Sequence, residues 1–233
     1  MTAPADGPVK GAWRPAIADV SGRFVDATNA TLLATTDDEV AVVYKPNAGQ
    51  RPLWDFDAES LPAREVLTYE VSRRMGLSVV PETVMADGPY GPGSAQRFVD
   101  AEAGFDALAM VRRADPVLWP IAALDVITNN ADRKLGHILR TPDGLVAIDH
   151  GLTFHAEPKL RTVLWCFAGH SWPEEITTSA KTLLTGLQRQ PEPFLSVLDG
   201  AEWDALMTRI GDVINRPHPL PPDDRPPVPW PAY

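Results

Sequence analysis

The chain has 233 residues, 44% of them hydrophobic, and carries 21 Lys+Arg against 31 Asp+Glu for a net charge of -10. That length suits one large domain or one domain of two lobes, and that charge excludes a nucleic-acid footprint or docking on an anionic membrane surface. The expected partner is a small molecule or a protein. The single cysteine, Cys166, excludes an internal disulfide, fits a reducing compartment and reads as a buried filler beside Trp165 and Phe167. The N-terminal MTAPADGPVKGAW lacks an apolar h-region, and the most apolar window, residues 117–127, contains Pro120 and Asp125 and is too short for a membrane span. A cytoplasmic protein is expected.

Residues 1–19 form an N-terminal segment. From 20 to 46, β-branched runs alternate with turn candidates at 26–30 and 36–39, which predicts three antiparallel strands. A Pro-rich, aromatic connection over 46–56 leads to a helix at about 60–76, with Leu67, Val71 and Met75 on one stripe and Gly76 as C-cap. Two more strands, 79–85 and 94–100, flank the turn-rich 86–93. After Ala101 the pattern becomes helical, at 103–112 and from Pro116 to about Asn129. A polar loop, 129–134, and a hairpin, 136–149, turned at Pro142-Asp143-Gly144, follow. Segments containing 158–165, 178–190 and 200–214 read as helices. The tail from 216 on holds eight prolines and reads as extended or polyproline II rather than folded core. The outline is an α+β chain with a β-rich N-lobe (20–100), a helical C-lobe (101–216) and a Pro-rich tail (217–233).

Three residues stand out by position. In AVVYKP (41–46) a period of two puts Ala41, Val43 and Lys45 on one face, so Lys45 either snorkels to solvent at the strand end or points into a cleft where an anion waits. Asp132 and Asp149 lie on either side of the predicted hairpin and so near one end of it. Two close carboxylates repel unless a cation sits between them, and hard cations such as Mg²⁺ take oxygen ligands from one or two carboxylates plus phosphates. Alone, Asp132 could be a loop-stabilising Asx residue and Asp149 a cap.

Taken in order, the lysine of VYKP, Glu65 in the next helix, GLSVVPET (76–83), NADR (130–133) and AIDHGLTF (147–154) resemble the phosphatidylinositol 3-/4-kinase-like superfamily. The similarity is nearest to type II phosphatidylinositol 4-kinases and small bacterial kinases of that kind, with HipA-like kinases more distant, and it covers about residues 20–170. The resemblance implies a two-lobed protein-kinase-like fold and an ATP-dependent phosphotransferase using Mg²⁺ or Mn²⁺. It implies that Lys45 contacts the ATP phosphates, that Glu65 orients it (with Glu70, nearer the apolar stripe, as the fallback), that Asp132 positions or deprotonates the acceptor hydroxyl, and that Asp149 binds metal. Arg133 would stabilise phosphate charge or pair with the loop. The adenine would meet the backbone of Arg97, Phe98 and Val99.

Two features depart from the family. His137 stands where a second metal ligand is usually asparagine, and imidazole suits Mn²⁺, Zn²⁺ or Fe²⁺ better than Mg²⁺. The first turn, DATNAT (26–31), has no glycine, so Thr28, Asn29 and Thr31 would offer donors to phosphate in place of a glycine-rich loop, or form a plain turn. A zinc site from His137, His150 and His155 matches no structural zinc spacing. Trp54, Phe56, Trp165 and Phe167 read as core. The acceptor, a hydroxyl of a lipid headgroup, a soluble small molecule or a protein, stays open. So do a nucleotide-binding module that has lost transfer and a kinase-fold enzyme that transfers AMP.

Overall fold

The computed structural model describes residues 13–24, 29–51, 53–223 and 226–233. Strands β1 (Ile17–Arg23), β2 (Leu32–Thr36), β3 (Ala41–Pro46), β4 (Thr83–Gly88) and β5 (Gly91–Arg97) form one antiparallel sheet in the order β1-β2-β3-β5-β4. Alternation along β3 sorts its side chains as the pattern predicts. Val42 and Tyr44 join Ile17, Leu32, Ala34, Ala86 and Ala95 in a small apolar core on one face. The other face carries Lys45, opposite Ser94, and the buried polar side chains Thr83, Ser94 and Gln96. The β4–β5 strands run further into the predicted turn than the sequence suggests. Gly93 explains part of this, because a β-carbon there would lie 2.3 Å from the Lys45 carbonyl oxygen.

Helix α1 (Leu61–Met75) begins with Pro62 in its first turn and ends at Gly76, whose φ of 69° serves a left-handed cap. Its stripe of Leu67, Val71 and Met75 does not pack into the small core of the sheet. It enters the main core with Ile121, Leu124 and Ile127 of α3 (Trp119–Thr128) and with residues of α4 (Glu174–Arg189) and α5 (Gly200–Asn215). Helix α2 (Ala107–Arg112) and the hairpin β6 (Ile138–Thr141)–β7 (Gly144–Ala147) complete the helical lobe. No helix among the described residues is long and apolar enough to cross a membrane.

Three expectations are corrected. The segment 158–165 is not a helix. Its backbone is extended because Arg161 N–H donates to Asn130, Arg133 N–H donates to Arg161, and Thr162 bridges Arg133, contacts that no helix could make. Trp54 is not core: it is 89% exposed, with the Lys159 ammonium 4.7 Å from its ring, whereas Phe56 and Phe167 are buried. The described part of the tail is not free of the folded core but is bound to the helices. His218 is buried among Trp119, Trp165 and Trp172, the Pro227 carbonyl accepts from Trp165 Nε1 at 2.9 Å, and the Ala232 carbonyl accepts from Leu135 N at 2.8 Å.

Candidate active site

Strand β3, helix α1 and the turn after β7 converge on one ammonium group. Lys45 Nζ lies 2.5 Å from Glu65 Oε1 and 2.8 Å from Asp149 Oδ1, and its side chain is only 13% exposed. It therefore points inward rather than snorkelling. Glu65, off the apolar stripe of α1, faces the sheet, while the fallback Glu70 pairs with Arg73 and Arg74 elsewhere on the helix. Burial acts to lower the Lys45 pKa, but the Asp149 and Glu65 carboxylates outweigh it and hold the amine charged. In return, Lys45 holds Asp149 well below the usual carboxylate range. Asp149 has a φ of 62°, a left-handed conformation that a non-glycine residue adopts at a cost. Its side chain remains 48% exposed, so one edge of it faces solvent.

That open edge meets two further donors. His137 Nε2 is 3.3 Å from Asp149 Oδ2, and Asp132, His137 and Asp149 each present a ligand atom within 4.8 Å of the others. Burial pushes His137 down to about 4, against the pull of Asp149, so the ring is neutral near pH 7 and its lone pair is available. Burial also raises the Asp132 pKa, opposed by Lys134, whose ammonium is 2.9 Å from Asp132 Oδ2. Two carboxylates and a neutral imidazole suit a divalent cation of the Mg²⁺–Mn²⁺ range, the imidazole favouring Mn²⁺. The three histidines 137, 150 and 155 form no ligand group among the described residues; His155 packs edge-on against Phe56.

The loop bearing Asp132 is built on a buried network that the sequence reading missed. Asp125, at the end of α3, accepts from Asn130 Nδ2 at 3.0 Å, from Arg133 Nε at 3.0 Å and from Thr162 Oγ1 at 3.0 Å. Asn130 Oδ1 in turn accepts from the Asp132 amide at 2.9 Å. Asn129, left-handed with a φ of 54°, donates to the His155 and Glu157 carbonyls. Arg133 thus corrects one expectation. With its side chain 0% exposed, gripping Asp125 and the Ile148 carbonyl, it cannot reach a phosphate and acts as the internal pin of the loop.

The predicted nucleotide contacts fare unevenly. Thr28 lies outside the described residues. Asn29 Oδ1 accepts from Arg51 N at 3.0 Å and Thr31 Oγ1 donates to the Asn29 carbonyl, so both side chains are engaged by backbone groups. Arg97 N–H donates to Glu82 and Phe98 N–H to Ala41, extending the sheet. Those two amides are therefore unavailable to an adenine, and of the three only the Val99 amide is uncommitted among the described residues. Cys166 is half-buried, not fully buried, and its thiol is pushed up to about 11 by burial, which makes it a poor nucleophile.

No protein-family model matches the chain. Among curated proteins it is 34% identical over 254 aligned positions to Protein Rv2133c of Mycobacterium tuberculosis, covering 92% of this chain and 91% of that one. The chain belongs to the Rv2133c family. Solved structures with the same fold include the Golgi casein kinase, at TM-score 0.54 and 14% identity over 86% of this chain and 71% of that one. The same kinase with Mn/ADP bound gives 0.54 at 13% identity, over 86% and 72%. The Helicobacter pylori proinflammatory kinase CtkA gives 0.52 at 11% identity, over 87% and 93%. This member of the Rv2133c family thus has a protein-kinase-like fold, built from the five-stranded antiparallel sheet and the helices.

Proposed function

We propose that the protein is an ATP- and divalent-metal-dependent phosphotransferase that moves the γ-phosphate to an acceptor hydroxyl. The observation that carries this reading is the convergence of Lys45, Glu65 and Asp149 from a strand, a helix and a loop, with Asp132 and His137 on the open side. The neighbour solved with Mn/ADP supports the same pairing of nucleotide and metal. Asp149, His137 and Asp132 would hold the cation, which when bound supplies positive charge beside the transferring phosphate. Lys45, kept charged by two carboxylates, would bind phosphate oxygens. Asp132 would orient the acceptor hydroxyl and take its proton on the carboxylate oxygen turned away from the cation. The adenine would enter beside Val99 with fewer backbone bonds than the sequence reading allowed. The finer kinship we propose, with phosphatidylinositol 3-/4-kinase-like enzymes, rests on the NADR and AIDHGLTF motifs.

A second reading, a nucleotide-binding module without transfer, draws on Asn29 Oδ1 and Thr31 Oγ1, which bond to Arg51 N and the Asn29 carbonyl and so are committed to the protein's own backbone. Incubation with γ-labelled ATP and Mg²⁺ or Mn²⁺, alone and with cell extract, separates the two. Transfer of label to any acceptor supports the kinase. Metal-dependent ATP binding without transfer, ADP release or AMP release supports the module.

A further inference from the structure

Glu65 and Asp149 face the same ammonium, but they belong to the helical lobe, whereas Lys45 belongs to the sheet. The apolar stripe of α1 is part of the helical core, and the sheet surface that meets α1 is polar, with Gln96 Nε2 donating to Thr83 Oγ1 at 2.9 Å. Burial of apolar surface therefore ties α1 to the helical core, whereas its contact with the strands beside it runs over polar side chains. One side chain completes the attachment. Arg64, the residue before Glu65, is buried and donates from Nε to Ser60 Oγ at 2.9 Å, from one terminal nitrogen to the Thr153 carbonyl at 2.7 Å, and from the other to Glu202 Oε1 at 2.7 Å. Its guanidinium also stacks at 5.6 Å on Phe56. Glu202 is itself fixed, since its other oxygen accepts from Asp199 N in the capping box of α5. Thr153 is four residues beyond Asp149, and a β-carbon at Gly151 would sit 3.5 Å from Leu61 of α1.

We propose that Arg64 is a positioning residue that welds α1 and the Asp149 turn to α5, so that Glu65 and Asp149 act as one rigid anionic jaw onto which the sheet closes through Lys45. A planar guanidinium is required because three acceptors on three elements must be met at once, which an ammonium on a flexible stem cannot do. Opening and closing of the cleft then makes and breaks the Lys45 contacts, while the Glu65–Asp149 spacing stays constant. The inference rests on the kinase reading for its kinetic consequence alone; the mechanical statement stands by itself.

The test compares wild type with Arg64→Lys, Arg64→Ala and Glu202→Gln by hydrogen exchange and by steady-state kinetics. Amides of residues 61–68 and 149–154 should exchange at least about tenfold faster in the variants, while those of β2 and β3 remain unchanged. The rate constant for transfer should fall by about tenfold or more with KM for ATP within about threefold, because the jaw is assembled before the transition state and not by ground-state binding. Methylguanidinium should restore both exchange protection and rate to Arg64→Ala. Unchanged exchange at 61–68 and 149–154, or faster exchange spread evenly over the chain, overturns the proposal. If wild type transfers no label, the kinase reading fails, and the exchange pattern still decides the jaw. Should Arg64→Ala not fold, Glu202→Gln, which removes only the charge, decides the same question by exchange.

Discussion

Arg133 and Asp125 form an ion pair with both side chains fully withdrawn from solvent, eight residues apart across the turn that presents Asp132. Burial raises the Asp125 pKa and Arg133 opposes that rise, so the pair persists only while each has the other. Asp125→Ala leaves an unpaired buried guanidinium and should cost about 3–5 kcal/mol. Urea denaturation of the metal-free protein checks this. Asp125→Asn should cost less, because the amide oxygen still accepts one bond. A loss under about 1 kcal/mol for Asp125→Ala would mean that water reaches Arg133.

Asp149 should control metal-dependent nucleotide binding. Removing its carboxylate deletes a group that would hold the cation and leaves Lys45 paired with Glu65 alone. Calorimetry on Asp149→Ala should show metal-dependent ATP affinity reduced by at least about a hundredfold, since charge-assisted contacts are the strongest in such a site. Unchanged affinity would take Asp149 out of the site.

Asp132 should separate binding from turnover. Asp132→Asn keeps the loop's shape, because the Asp132 amide, not its carboxylate, bonds Asn130. ATP affinity should stay within about tenfold while transfer drops by two orders of magnitude or more. Equal losses in both would make Asp132 a structural loop residue.

The parts of this site that the sequence discloses are those whose chemistry depends on local spacing. Lys45 ends a strand with a period of two, Asp132 sits in a turn between apolar segments, and Asp149 follows a β-run, so each could be placed by pattern. Glu65 is legible only through the resemblance, since its partner comes from another element. Arg64 and Glu202 look like ordinary solvated charges in sequence, being 138 positions apart with no local rule to join them, and Asp125 interrupts an apolar window without naming its partner. The false helix at 158–165 has the same cause, as pairing of Arg161 and Thr162 with the Asp132 loop overrides helical propensity. Hydrophobicity alone assigns Trp54 to the core, but its neighbour in space is the Lys159 ammonium, which favours an exposed ring face.

His137 gives the last prediction. Burial depresses its pKa from 6.5 to about 4, so in the metal-free protein the unfolded chain binds the proton more readily than the folded one between those values. Stability from the neutral ring is present above pH 6.5 and is lost as pH falls toward 4, by roughly 3 kcal/mol at most. Thermal melts should show the wild type losing more stability than His137→Asn between pH 7 and pH 4.5. In transfer assays the same shift keeps the imidazole neutral well below 6.5, so a ligand role predicts no loss of activity near pH 6.5 that His137→Asn would abolish. The variant should instead change the metal response: wild type should work better with Mn²⁺ than with Mg²⁺, and asparagine, an oxygen ligand, should move the preference toward Mg²⁺ while turnover survives. An identical Mn²⁺-to-Mg²⁺ ratio in both proteins would show that His137 packs against Asp149 without taking part in metal binding, leaving Asp149 and Asp132 as the candidate ligands.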